Sequence, residues 1–111
     1  MAVGEAALPM RRGDLIVRGL PNVVEPEPRD FPAYAYPAAA KGSGKVVRVR
    51  VRVLVDEEGR VIETALREAD DSGLGFNEAA LETARKTSFY PATRDDIPGR
   101  MWAELIFEFS Q

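Results

Sequence analysis

Ten residues constrain this chain more than any others: "VVRVRVRVLV", residues 46–55, sets valine against arginine with a period of two. Successive side chains of a β-strand point to opposite faces, so the run is predicted to be a strand with one buried and one wet face. A helix made of the same residues would scatter the arginines around its circumference and leave no apolar stripe. The wet face carries Arg48, Arg50 and Arg52. Either they grip an anionic polymer or they form the solvated side of a sheet.

The rest of the composition bears on that choice. The chain has 111 residues, 45% hydrophobic and 30% charged, which suits one small globular domain. Its formal net charge is −3, whereas nucleic-acid binders usually carry a basic balance. Cysteine and histidine are both absent. That excludes disulfides, the common transition-metal sites and the Ser-His-Asp and Cys-His catalytic arrangements. No cofactor or metal is expected, and an enzyme would have to work with carboxylates alone. The acidic turns "DEEG" and "ADD" lack the ligand spacing of a calcium loop. No apolar run is long enough to span a bilayer. The first ten residues lack the basic and apolar regions of a signal peptide.

Along the chain, residues 1–31 are expected to form an extended N-terminal arm or linker, and 32–111 the folded domain. "PNVVEPEPRDFPAYAYP", residues 21–37, is dense in proline, which fixes φ and lacks an amide donor, so it should be extended. Phe31, Tyr34 and Tyr36 give it something to bury if it packs back on the domain. "DLIVRG" before it could form a minor strand. After Pro37, "AAAKG" supplies one helical turn ended by Gly42. Residues 45–55 and 60–68 read as two strands joined by "DEEG". A helix should start at Asn77 as N-cap, with Glu78 in the first turn and Arg85 and Lys86 in the last. "FYPA" joins this helix to a loop, "TRDDIPG". The final strand is 101–109, "MWAELIFEF".

The order β-β-α-β, with a helical turn in front, predicts an α+β fold. Three antiparallel strands lie in the order second-first-third, with a short and a longer helix on one face. Closing the hairpin around residues 56–59 pairs Val55 with Arg60, Val53 with Ile62, Val51 with Thr64 and Val49 with Leu66. Arg52 then meets Glu63, Arg50 lies diagonal to Glu63, and Arg48 faces Arg67. On the third strand Leu105, Phe107 and Phe109 take the core face, leaving Trp102, Glu104, Ile106 and Glu108 on the arginine face. Glu63, Glu104 and Glu108 then answer the arginines, which favours a solvated face over a nucleic-acid grip. Leu54, Trp102 and Ile106 share that face as a small apolar patch.

Taken in order, several elements resemble the TonB C-terminal domain family. They are Tyr36-Pro37 with the alanines after it, Gly42-Ser43-Gly44, the alternating strand, "DEEGRV", "FNEAALETAR", "FYPA" and the closing "IFEF". The resemblance spans about residues 32–111. Before Tyr36 the chain reads "AYA" where TonB has glutamine and proline, so only Tyr36 and Pro37 carry over from that element. The resemblance implies a periplasmic domain of an inner-membrane-anchored transducer, whose anchor and long Pro-rich spacer are absent from this sequence. It implies partners too: an ExbB–ExbD-type motor, and an outer-membrane receptor whose short segment adds as a strand to the last strand. The binding residues would be Tyr36, Pro37, Met101, Trp102, Ala103, Glu104, Leu105, Ile106 and Phe107. Edge-strand physics supports the same site, because an unpaired edge is a template for another strand. A second reading uses that edge and the apolar patch for a homodimer, as a self-associating structural module of the envelope.

Overall fold

The computed structural model describes residues 9–111. The expectation of no signal peptide falls mostly on residues 1–8, outside the described ones. The elements are β1 (Val23–Val24), β2 (Glu27–Asp30), a 3-10 turn (Ala38–Ala40), β3 (Val47–Val55), β4 (Val61–Glu68), α1 (Phe76–Lys86), β5 (Ser88–Tyr90), β6 (Thr93–Arg94), β7 (Ile97–Pro98) and β8 (Met101–Phe109). The fold is mixed α+β with antiparallel sheets. The main sheet runs β4-β3-β8, and the short strands pair as β1-β6-β7 and β2-β5. Among the described residues no helix is long and apolar enough to cross a membrane.

The period-two pattern organises the centre. Val47, Val49, Val51, Val53 and Val55 are all buried, and they meet Phe76, Ala80 and Ala84 of α1 and Leu105, Phe107 and Phe109 of β8. Burying each such large side chain is worth roughly 1.5–3 kcal/mol relative to leaving it in water. An edge-on aromatic chain, Tyr34 to Phe109 to Phe76 to Tyr36, closes one end of this layer.

The hairpin register differs from the predicted one. Val55 faces Val61, Leu54 faces Glu63, Val53 faces Thr64, Arg52 faces Ala65, Val51 faces Leu66 and Arg50 faces Glu68, with irregularities at both ends. One residue of the difference comes from Ile62, which is extra between Val61 opposite Val55 and Glu63 opposite Leu54; the other comes from the turn. Asp56 and Arg60 close a three-residue loop, with the Gly59 amide donating to the Asp56 carbonyl at 2.9 Å and Gly59 at φ 84°. That is a type I turn followed by a left-handed residue and a bulge, one residue tighter than the four-residue closure.

Asp56 fixes the turn with its side chain. One carboxylate oxygen accepts the amides of Glu58 (2.9 Å) and Arg60 (2.8 Å), and the other faces the Arg60 guanidinium at 3.3 Å. Only 3% of the residue is exposed, so the first carboxylate of "DEEG" is buried in the turn it closes. Burial pushes the Asp56 pKa up, but the two backbone amides and the Arg60 charge outweigh it and hold the carboxyl below its ordinary value.

Other local expectations are also corrected. The N-cap of α1 is Gly75, at φ 97°, and no side chain caps the helix. Asn77 instead clamps the preceding loop: it accepts the Asp70 amide at 2.8 Å and donates to the Asp70 carbonyl at 2.7 Å. The "AAAKG" helix is a single 3-10 turn. "TRDDIPG" is no loop: Asp95 and Asp96, at φ 53° and 66°, form the two-residue turn of the β6–β7 hairpin.

The arm packs back on the domain. β1 pairs with β6 and β2 with β5. "DLIVRG" forms only one parallel bridge, Leu15 to Arg100. Around it the Ile16 amide donates to the Arg100 carbonyl (2.7 Å) and the Arg100 amide to the Asp14 carbonyl (2.8 Å). Ile16 then joins Ala92 and Met101 in a second small core.

Candidate functional site

β8 is the outer strand on one side of the main sheet, and its nine residues pair with β3 without a register shift. In an antiparallel ladder each residue turns both its N–H and its C=O either toward the neighbour or away from it, alternately. Two contacts identify the outward set. The Arg18 guanidinium donates to the Trp102 carbonyl at 3.2 Å. The Tyr34 hydroxyl donates to the Glu108 carbonyl and accepts from the Glu108 amide, both at 3.3 Å. The even-numbered positions 102 to 108 therefore face outward. Between the two capped ends, the outward backbone groups of Glu104 and Ile106 meet no partner among the described residues.

The residues expected at the site divide into two groups. The side chains of Met101, Leu105 and Phe107 are buried, and Ala103 packs partly against the same core. Trp102, Glu104 and Ile106 face solvent, Ile106 at 42% exposure. Tyr36 and Pro37 lie away from this edge. The Tyr36 hydroxyl donates to the Lys45 carbonyl at 2.7 Å, and its ring packs on Phe76; the Pro37 carbonyl accepts the Ala40 amide at 3.0 Å. Both residues anchor the 3-10 turn.

Tyr34 is the aromatic that reaches β8, with its ring 5.1 Å from Phe107 and 5.2 Å from Phe109. Phe31 adds a second edge-on contact to Phe107 at 5.6 Å. The sequence flagged both rings as buriable without saying where. Arg18 was missed altogether, since nothing local distinguishes it from other surface arginines.

The arginine face is neutralised differently from the expected scheme. Arg50 sits between Glu68 (3.0 Å) and Glu104 (3.5 Å), on the two flanking strands. Arg52 has moved away from Glu63 with the shifted register and lies over the Trp102 ring, 4.7 Å from its centre. Arg48 stands opposite Glu108 in register, but the two form no ion pair among the described residues. With Arg52 over Trp102, and Glu104 between Trp102 and Ile106, the expected apolar patch is interrupted by charge.

Comparison with known proteins bears on this arrangement. A family model described as "Gram-negative bacterial TonB protein C-terminal" matches residues 32–110. The chain is also similar to the solution NMR structure of the Pseudomonas aeruginosa TonB C-terminal domain. The TM-score is 0.57 at 20% identity, over 85% of this chain and 91% of that one. No curated protein sequence matches.

Proposed function

The chain belongs to the family of Gram-negative bacterial TonB C-terminal domains, and on that premise we propose that it is a non-catalytic interaction domain of the cell envelope. It works in the periplasm and captures an extended segment of an outer-membrane receptor as a strand added to β8. One observation carries this reading. β8 is an edge strand in unbroken register, with free outward groups at Glu104 and Ile106, flanked by groups held only by side chains. Backbone hydrogen bonds to those groups supply affinity, and the side chains beside Trp102, Glu104 and Ile106 choose the partner.

The residues that meet such a strand are thus the even-numbered ones. Met101, Ala103, Leu105 and Phe107 act behind them as the rigid backing, and Tyr36 and Pro37 hold the neighbouring turn. Residues 1–31 form the arm and 32–111 the domain in this reading. An ExbB–ExbD-type motor drives the domain through a membrane anchor, which none of the described helices supplies.

The test is an NMR titration of the labelled chain with extended receptor-derived peptides, each made also with alternate backbone amides N-methylated. Methylation on the edge that pairs should abolish the shifts at Glu104 and Ile106, while methylation on the opposite edge should leave them. Equal binding by both methylated forms, or shifts confined to other surfaces, would sink strand addition.

A further inference from the structure

Beside the Trp102 end of β8 lies a cavity of about 210 Å³, lined by Arg18, Arg52, Arg67, Trp102, Ala103 and Glu104. We propose that it is a carboxylate pocket that receives an acidic side chain carried by the strand added to β8. The proposal rests on the strand-addition reading and names the chemistry of its partner.

Three elements bring the cations together. The period-two pattern of β3 puts Arg52 on the solvent face. In β4 the register passes from Leu66 opposite Val51 to Glu68 opposite Arg50, so Arg67 is the extra residue of a bulge and lines the same cavity. Arg18 comes from the arm.

Their neutralisation is incomplete. Glu104 is the single carboxylate in the lining, and it is engaged by Arg50 at 3.5 Å. Arg18 pairs with Glu25. Arg52 and Arg67 belong to no ion pair among the described residues. Arg50, two residues before Arg52 on β3, is by contrast answered by two glutamates.

One of the three guanidiniums is also pre-set: Arg52 lies over the Trp102 ring, 4.7 Å from its centre. A planar guanidinium fixed in this way matches a carboxylate in two-pronged geometry and loses little freedom on binding it.

The position ties the pocket to the edge. A strand added to β8 lies about 4.8 Å beyond it, with alternate side chains on the arginine face. At the Trp102 end, an incoming N–H takes the Trp102 carbonyl from Arg18. The released guanidinium then turns with Arg52 and Arg67 to the acid on the same strand. A neutral side chain there would leave Arg52 and Arg67 without a carboxylate.

The experiment uses pairs of extended peptides that differ only by Asp or Asn, with the acid moved along the peptide. Binding is read from Trp102, the only tryptophan in the chain, and from the amide shifts of Glu104 and Ile106. One acid position should bind roughly tenfold tighter than its amide, the scale of a charge-assisted hydrogen bond. That preference should shrink with salt and disappear in Arg67→Ala. Arg48→Ala, on the same face but outside the cavity, should keep it. Equal binding of acid and amide, or a preference that survives Arg67→Ala, overturns the pocket and leaves strand addition standing. An acid preference without shifts at Glu104 and Ile106 overturns both, since the acid would then ride on no added strand.

Discussion

The main sheet has two outer edges, and they are treated in opposite ways. β4 runs eight residues, and none of its backbone groups is bonded from outside the sheet among the described residues. It is nonetheless a poor template. Its register against β3 breaks at both ends, and Glu63, Arg67 and Glu68 stand along it. Bulges and charges are how native sheets blunt an edge. β8 has the reverse character. It is unbroken over nine pairs, and its protection comes from two side chains that precede β3, Arg18 of the arm and Tyr34 of the domain. An edge blunted by its own backbone stays blunt, whereas one capped by borrowed side chains can be uncovered. On the proposed function, the edge that takes a strand is therefore the guarded one.

The comparison can be broken from its strongest side first. Phe107→Ala removes a fully buried ring that touches both Phe31 and Tyr34. It should cost ~3–5 kcal/mol in chemical denaturation and loosen the arm together with β8.

Asp56→Ala should come next, at about 2 kcal/mol, because it strands the two turn amides in a buried site. The same residue predicts a pH dependence. Its folded pKa lies below the unfolded value of about 3.9, so its contribution is complete above that pH and is lost as pH falls through the folded value. A denaturation series from pH 6 down to about 2 should lose this component in the wild type and show none of it in Asp56→Asn.

Tyr34→Phe sharpens the contrast. It keeps the ring packing and removes the hydroxyl from Glu108, so stability should fall by about 1 kcal/mol or less. Amide exchange at Glu108 should speed up, and an added strand should bind more tightly because one guard is gone. Ile62→Lys, on the other edge, should have the smallest effect. It lies within about 0.5 kcal/mol of the wild type, with peptide affinity unchanged.

The faces of the sheet were legible in the sequence because they depend only on parity. Valines alternating with arginines, and Leu105, Phe107 and Phe109 alternating with polar neighbours, assign burial without any knowledge of the turn. Register was not legible, because it hinges on one side chain: Asp56 captures the Arg60 amide and tightens the loop by a residue. With the extra residue Ile62 beside it, the register shifts by two, which sets Arg52 opposite Ala65 and away from Glu63. The Asp95–Asp96 turn was hidden for a related reason, since aspartate adopts positive φ less often than glycine and gives no clear hairpin signal. The guards of β8 come from residues 84 and 74 positions away in sequence, Arg18 to Trp102 and Tyr34 to Glu108, and no local pattern records such contacts.

The unbroken β3–β8 ladder also has a mechanical side. A pull along the strand axis loads all nine pairs at once, as shear, so no pair can yield before the others. The hold of Arg18 and Tyr34 on the same edge is two separate side-chain contacts at opposite ends, which peel one after the other. A strand laid beside β8 would share the shear geometry of the ladder, while the contacts it displaces would have resisted only by peeling.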